Sequence, residues 1–306
     1  MTLTLLLEQI FNGLQSGVTL FLIAAGLTLI LGVMNFVFLA HGSQVMIGAY
    51  AAASLTSITG NFYVGALAAI PITFLSGYVL EYLLIRHLYQ RDHMDQVLAT
   101  FGLILFFNEL MRIGFGPAAL FSNLPPSLSG FVYILPDTTY PVYRLVVIGV
   151  GLVCAAGIYH LVTRTKIGAM VRAGASNESM AAALGVNIGL LRRLIFSAGA
   201  CFAGIAGIML GPLTAVEPGM GEPLLILSLV VIIIGGLGSV HGAFIAAVVV
   251  GIVDTLGRVV LPHVLRGFME KSAADGAGPA LTSMMVYLLM TVVLVFKPTG
   301  LFPTKG

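Results

Sequence analysis

The stretch that decides the fold runs from Gln9 to Leu80 and reads QIFNGLQSGVTLFLIAAGLTLILGVMNFVFLAHGSQVMIGAYAAASLTSITGNFYVGALAAIPITFLSGYVL. It contains no Asp, Glu, Lys or Arg, and it is bounded by Glu8 and Glu81. A helix needs about 20 apolar residues to cross the hydrocarbon core of a bilayer, so this stretch has room for three spans with short connections. The sequence therefore predicts a protein embedded in lipid.

The composition of the whole chain leads to the same prediction. Its 306 residues are 58% hydrophobic and 8% charged, whereas soluble domains are about 25% charged. A single globular core stops growing near this length and cannot hide so much apolar surface. The 14 Lys and Arg residues are scattered, and we expect no nucleic-acid partner because such binding needs clustered basic residues. The predicted fold class is an all-α polytopic membrane protein with a single transmembrane domain over 1–306.

About nine transmembrane helices are predicted from the apolar runs and the polar joins between them, and eight or ten remain compatible with the sequence. The expected spans lie near 10–33, 40–59, 62–84, 97–115, 145–163, 194–213, 223–239, 242–260 and 281–296. The proline-rich segment 117–142 is expected to be a loop outside the hydrocarbon, and 262–280 is expected to be a second loop.

The distribution of Lys and Arg predicts the orientation, because cytoplasmic loops are enriched in these residues. With nine spans, one side carries Arg86, Arg91, Arg164, Lys166, Arg172, Arg192, Arg193, Lys297 and Lys305. The other side carries only Arg112, Arg144, Arg258, Arg266 and Lys271. We therefore expect the N-terminus outside and the C-terminus inside, which places the polar segment 164–193 in the cytoplasm.

The chain lacks the glycine-rich phosphate loop that ends in Gly-Lys-Ser/Thr, so it is not expected to bind ATP in that way. Energy for transport would come from another subunit or from an ion gradient. Gradient-driven carriers normally keep ionisable residues inside their spans, and the candidates here are Glu109, Asp254 and His41. Glu109 is spaced to pair with Arg112, and Asp254 to pair with Arg258.

The segment 164–193 is expected to contain a short helix. Ser176 or Asn177 suits its N-cap, and Gly185 supplies a C-terminal stop. The flanking arginines favour either docking against another protein or an interfacial position on lipid, and the residues themselves leave both open.

Two glycine-rich breaks interrupt the apolar runs, at 34–44 and at 235–242. The first holds a polar cluster, and we expect Asn35, His41, Ser43 and Gln44 either to brace a broken helix or to line a substrate pathway. The glycines expected at the breaks are Gly42, Gly235, Gly236 and Gly238. No catalytic residue and no metal site are expected.

Three segments resemble the permease subunits of branched-chain amino acid ABC importers, the LivH/LivM family, with the LivH half the closer in pattern. They are Met34-Asn-Phe-Val-Phe-Leu-Ala-His-Gly-Ser-Gln-Val-Met-Ile-Gly-Ala-Tyr50, Arg172-Ala-Gly-Ala-Ser-Asn-Glu-Ser-Met-Ala-Ala-Ala-Leu-Gly-Val186 and Ile234-Gly-Gly-Leu-Gly-Ser-Val-His-Gly-Ala243. The order and the spacing of these segments also fit the family.

The resemblance implies an inner-membrane permease that works as a pair, usually with a LivM-like second permease. It also implies ABC ATPase subunits, which bind the ATP, and a periplasmic substrate-binding protein that delivers the amino acid. The chain itself would carry no cofactor. The segment that would contact the ATPase contains Arg172, Ser176, Asn177, Glu178, Leu184 and Gly185.

Three other interpretations stay open at this point. An intramembrane serine protease could use Ser43 or Ser239 with His41 or His241, although no oxyanion motif accompanies them. A secondary carrier or passive channel would need no ATPase partner. Within the family, urea, short amides or other amino acids are alternative cargo.

Overall fold

The computed structural model describes residues 3–135 and 138–302, and helices dominate them. The elements in chain order are α1 (Leu3–Met34), α2 (His41–Thr59), α3 (Phe62–Leu83), α4 (His93–Phe115), β1 (Phe131–Leu135), β2 (Thr138–Pro141), α5 (Val142–Arg164), α6 (Lys166–Ser176), α7 (Glu178–Ala183), α8 (Ile188–Leu210), α9 (Gly221–Gly235), α10 (Val240–Leu265) and α11 (Lys271–Phe296). A single 3-10 turn, Ile85–His87, follows α3.

Seven of the described helices, α1, α3, α4, α5, α8, α10 and α11, are long and apolar enough to cross a membrane. The prediction of a multi-pass helical membrane protein is thus confirmed, whereas the count of nine spans is not. Each of the nine predicted ranges does fall on a helix. The two ranges outside the seven belong to α2, with 19 residues, and α9, with 15.

Two predicted loops contain regular structure. The segment 117–142 includes a two-stranded antiparallel hairpin of β1 and β2. The loop expected at 262–280 was wrong, because α10 continues to Leu265 and α11 already begins at Lys271. Hydropathy detects the apolar part of a helix and misses its polar first turns. Here Arg266 and Asp275, 2.7 Å apart, join the two helix ends across a short turn.

The core of the bundle is formed by α1, which packs against α10 and α8, and by α2, which packs against α3 and α8. The helices approach closely where glycines face each other. A Cβ atom added at Gly48 in α2 would overlap the backbone of Gly204 in α8. In lipid, such close backbone approach supplies the dispersion contacts that hold helices together.

One end of the bundle gathers the connector 84–92, the segment 165–187, the α9–α10 turn at 236–239 and residues 297–302, and we call it the basic end. Val171 of α6 packs against the last turns of α1. Gly238 touches Gly32 near the end of α1. Arg193 of α8 bonds to Glu81 of α3. These contacts bring segments that are distant in sequence to the same end.

We expect Gly48→Val to lower the unfolding temperature of the detergent-solubilised protein, because the added methyl groups would push α2 away from α8. Overpacking of this kind costs about 1–3 kcal/mol. The matched control is Gly149→Val in α5, where a Cβ meets open space. If both variants unfolded at the same temperature, the close α2–α8 contact would be refuted.

Candidate functional site

The first turn of α2 lies in the interior of the bundle and not at either end. The Nε2 atom of His41 lies 3.1 Å from the carbonyl oxygen of Ile23 in α1. Ile23 is eleven residues, about 16 Å, before the end of α1 at Met34. The segment 35–40 therefore runs back along α1 before α2 begins.

Asn35 makes this reversal possible. It adopts a left-handed backbone conformation with φ of 48°, which asparagine tolerates better than most residues. Its amide N–H donates to the carbonyl of Leu31 at 3.0 Å and ends the helix. Asn35 itself is exposed, so the structure places it away from His41, Ser43 and Gln44, with which the sequence grouped it.

The three polar side chains of the first α2 turn are all buried. A carbonyl oxygen can only accept, so Nε2 of His41 donates to Ile23 and Nδ1 is left as an acceptor. The Oε1 atom of Gln44 accepts from the hydroxyl of Ser76 in α3 at 2.7 Å. Among the described residues, Nδ1 of His41 and Nε2 of Gln44 have no hydrogen-bond partner. Buried polar atoms without a partner are rare in native proteins and call for an explanation.

The first turn of α9 meets the first turn of α2. A Cβ added at Gly42 would overlap the backbone of Gly221, and a Cβ added at Gly221 would overlap Gly42. Gly42 therefore lies inside α2 at a backbone contact, and the break in the chain is the segment 35–40 before it. Two helix N-termini, each with a partial positive charge, converge inside the bundle at this contact.

The second glycine-rich break lies at the basic end, separate from the first. Gly235 ends α9, while Gly236 and Gly238 have φ of 104° and 80°. The amide groups of Leu301 and Phe302 donate to the carbonyls of Ile234 and Gly235 at 2.8 and 3.1 Å. The chain's own residues 299–302 therefore fill this break.

The segment 164–193 contains two helices, α6 and α7. Asn177 caps α7 by accepting a hydrogen bond from the amide of Met180 at 2.9 Å, and Ser176 is the last residue of α6. Gly185 follows α7 with φ of 89°, as expected of a C-terminal stop. The predicted short helix is thus present, with Asn177 as its N-cap.

The residues expected to contact a partner differ in exposure and in pairing. Leu184 projects from the end of α7 with 78% of its surface exposed. Glu178 forms an ion pair of 2.5 Å with Arg192 at the start of α8. Arg172 donates to the carbonyl of Val162 at the end of α5, which connects α6 to the bundle.

The sequence missed one pair of residues at the basic end. Glu81 of α3 is 2% exposed and accepts a hydrogen bond from Nε of Arg193 in α8 at 3.0 Å. In the sequence, Glu81 serves only as the bound of the uncharged run, and Arg193 only as one of the cations of the cytoplasmic side. The sequence contains a signal, because Glu81 ends the longest uncharged run, but it does not show which of the many cations pairs with it.

The two predicted surface ion pairs are confirmed. Glu109 and Arg112 are 2.8 Å apart, and Asp254 and Arg258 are 3.0 Å apart. Ser239, a candidate nucleophile, instead caps α10 by accepting from the amide of Gly242. In the part of the chain that the structure describes, no group of three or more His, Cys, Asp or Glu is placed to hold a metal.

The described residues form a bundle of apolar spans with two helix N-termini buried inside it, which is the architecture of a polytopic membrane protein. The family described as "Branched-chain amino acid transport system / permease component" matches residues 9–294, and the chain belongs to that family. The resemblance read from its three motifs is therefore confirmed.

Individual relatives cover nearly the whole chain. The high-affinity branched-chain amino acid transport system permease protein BraD of Pseudomonas aeruginosa is 26% identical over 96% of this chain and 95% of its own length. The probable branched-chain amino acid transport permease protein LivH of Methanocaldococcus jannaschii is 28% identical over 92% of this chain and 88% of its own. LivH of Escherichia coli K12 is 26% identical over 96% and 94%. No solved structure matches the chain.

Proposed function

We propose that this chain is the permease subunit of an ABC importer for branched-chain or related amino acids. It would work with a LivM-like second permease, with ABC ATPase subunits that bind the ATP, and with a periplasmic substrate-binding protein in a bacterial inner membrane. The observation that carries the proposal is the meeting of two helix N-termini beside unpartnered polar atoms, inside a bundle of the family that transports these amino acids.

The geometry of α2 and α9 supports nine crossings. At 19 and 15 residues, these helices are about 28 and 22 Å long. Each is preceded by an irregular segment, 35–40 or 211–220, that would complete a crossing with it. Irregular backbone at membrane depth is tolerated where protein covers it, and Phe36 and Phe38 within the first segment are fully buried.

The basic end would face the cytoplasm, with the N-terminus outside and the C-terminus inside. Eight of the nine Lys and Arg residues assigned to this side by the sequence belong to its segments or to the helix ends beside them, which supports the positive-inside orientation. The ninth, Lys305, lies outside the described residues. Lipid would cover the apolar outer faces of α4, α5 and α11, whose spans are only 11 to 17% buried.

The substrate pathway would pass the first turns of α2 and α9. An amino acid is a zwitterion, and helix N-termini favour its carboxylate. His41, Ser43 and Gln44 would border the path, and the unpartnered Nδ1 and Nε2 atoms offer an acceptor and a donor. The Gly42–Gly221 contact leaves no space between the helices, so the structure would represent a closed state of the path.

The segment from Arg172 to Gly185 would receive the ATPase. Met180 lies within α7 and Leu184 directly after it. Leu184 and Met180 have 78% and 58% of their surfaces exposed at the basic end. Exposed apolar side chains on a short helix suit a protein groove. Movement of α7 would then be the mechanical input from ATP hydrolysis.

The proposal is tested by reconstituting the chain in proteoliposomes with its ATPases, second permease and binding protein. We expect uptake of labelled leucine, isoleucine and valine that requires ATP on the side of the membrane where the ATPase subunits are bound. The chain has no phosphate loop of its own, so the ATP must act on those subunits. Uptake that persists without the ATPases would contradict the proposal and favour a secondary carrier. Uptake of urea or short amides in place of these amino acids would contradict the cargo.

Leu184→Asp is expected to weaken binding of the ATPase subunits by about tenfold, as for an anchor residue worth 1–2 kcal/mol. The measurement is the amount of ATPase that copurifies with the permease. Phe268→Asp is the matched control. Phe268 is also exposed, at 85%, but it follows the end of α10 that is remote from the basic end and from α7. Equal ATPase recovery with both variants would refute the docking role of α7.

Gln44→Met is expected to reduce uptake several-fold and to change stability by less than about 1.5 kcal/mol. The shape is kept, Nε2 had no partner to lose, and the Ser76 hydroxyl can still donate to the carbonyl of Thr73 at 2.8 Å. Uptake and unfolding temperature are measured on the same preparation. The control is Gln15→Met, the same substitution at another buried glutamine, which lies in α1 and not at the first turn of α2. Normal uptake by Gln44→Met would exclude a pathway role.

A further inference from the structure

Glu81 carries a carboxylate that is almost completely removed from solvent near the end of α3. Nε of Arg193 donates to its Oε2 at 3.0 Å, and the hydroxyl of Tyr89 donates to its Oε1 at 3.2 Å. A buried carboxylate is tolerated only with such partners. Removing one partner of a buried pair strongly destabilises the protein, because the remaining charge is then buried without compensation. The Glu81 carboxylate therefore connects α3, the 84–92 connector and α8 to one another.

Aromatic rings fix Arg193 in place. Its guanidinium lies 4.8 Å from the ring centre of Tyr82 and 5.1 Å from that of Tyr78. It also donates from Nη1 to the hydroxyl of Tyr78 at 3.2 Å. The planar guanidinium can bond a carboxylate and pack against rings simultaneously, which a lysine cannot reproduce. Three residues of α3 thus hold one side chain of α8.

The neighbouring arginine extends the network to α7. Arg192 lies 4.7 Å from the ring centre of Tyr89 and forms the ion pair with Glu178. Burial, together with the nearby Glu81 carboxylate, raises the pKa of Tyr89, so its hydroxyl remains a donor across the physiological range. A continuous set of contacts therefore runs from Glu178 through Arg192 and Tyr89 to Glu81.

The helix that carries Glu81, α3, also bonds to the start of α2. Ser76, five residues before Glu81 on α3, donates to Gln44 at 2.7 Å. Gly77 packs against α8, where a Cβ atom would meet Ala200 at 2.5 Å. Because α3 and α8 are tightly packed here, they are able to move together as a unit rather than bend independently.

We propose that Glu81 and Arg193 are positioning residues that lock the basic ends of α3 and α8 together and transmit displacement of α7 to the first turn of α2. This inference rests on the proposed coupling role of α7. The pair acts through α2 and does not touch the substrate. Glu81 and Arg193 are 112 residues apart in the sequence, and the α7 ion pair is the input and the Ser76–Gln44 bond the output of the contact they make.

The test uses the fully assembled importer in proteoliposomes and measures ATP hydrolysis and amino acid uptake in parallel. For Glu81→Gln, we expect the amount taken up per ATP hydrolysed to fall by about tenfold, within the range reported for residues that carry coupling between sites. ATP hydrolysis itself is expected to continue, because the α7 surface that meets the ATPase is unchanged. Asp254→Asn is the matched control, since it removes the charge of an ion pair that has no contact with this network.

Tyr89→Phe is a second test of the same network, for the case that Glu81→Gln fails to fold. It removes only the hydroxyl bonded to Glu81, keeps the Glu81–Arg193 pair and the ring against Arg192, and is expected to assemble normally, to unfold at a slightly lower temperature and to give a smaller fall in the same ratio. An unchanged ratio in both variants, with a wild-type complex that couples normally, would overturn the inference and leave the proposed function intact. Failure of the wild-type complex to take up amino acids with ATP would instead overturn the proposed function.

Discussion

The constraint on which this structure depends is that backbone N–H and C=O groups find no water in hydrocarbon. A helix that begins inside a membrane protein must therefore be supplied with partners by the protein. For α2, the amide of His41 donates to Phe38 at 3.2 Å and that of Ser43 to Ala40 at 3.0 Å. For α9, the amide of Glu222 donates to Gly219 at 3.1 Å. The interior helix ends exist because the segments before them fold back to provide acceptors.

The same constraint explains why glycine is placed where it is. The first turns of α2 and α9 can meet only because neither Gly42 nor Gly221 carries a side chain. The two N-termini then bring partial positive charges to one place in a medium that screens them weakly. Such an arrangement needs few ionised side chains to interact with a zwitterion, which agrees with a chain that is 8% charged.

Much of the fold could be predicted from the sequence, because apolar length and charged joins are local properties. The start of the second span was expected at residue 40, and α2 begins at His41. The start of α11 was missed, since the Ala-rich turns after Lys271 are helical without being apolar. The cap at Asn177 could be predicted from its own neighbours, whereas the strands β1 and β2 are formed by residues that gave only a proline-rich loop signal.

The candidate site was less predictable, since its contacts join distant parts of the chain. His41, Ser43 and Gln44 were recognised by their polarity in an apolar run, but the backbone contact of Gly42 with Gly221 was not. Glu81 and Arg193 are 112 residues apart, and the sequence shows them only as the bound of an uncharged run and as one of the cytoplasmic cations. Pairing across that separation follows from the antiparallel packing of α3 and α8, which no local pattern contains.

The hydrogen bonds from Leu301 and Phe302 to the end of α9 also have a consequence for how the protein is made. Because synthesis runs from the N-terminus, Leu301 and Phe302 are made after α10 and α11, so the carbonyls of Ile234 and Gly235 lack these partners until both helices have been synthesised. The α9–α10 turn at the basic end is therefore completed only after the two helices that follow it, α10 and α11, have been made.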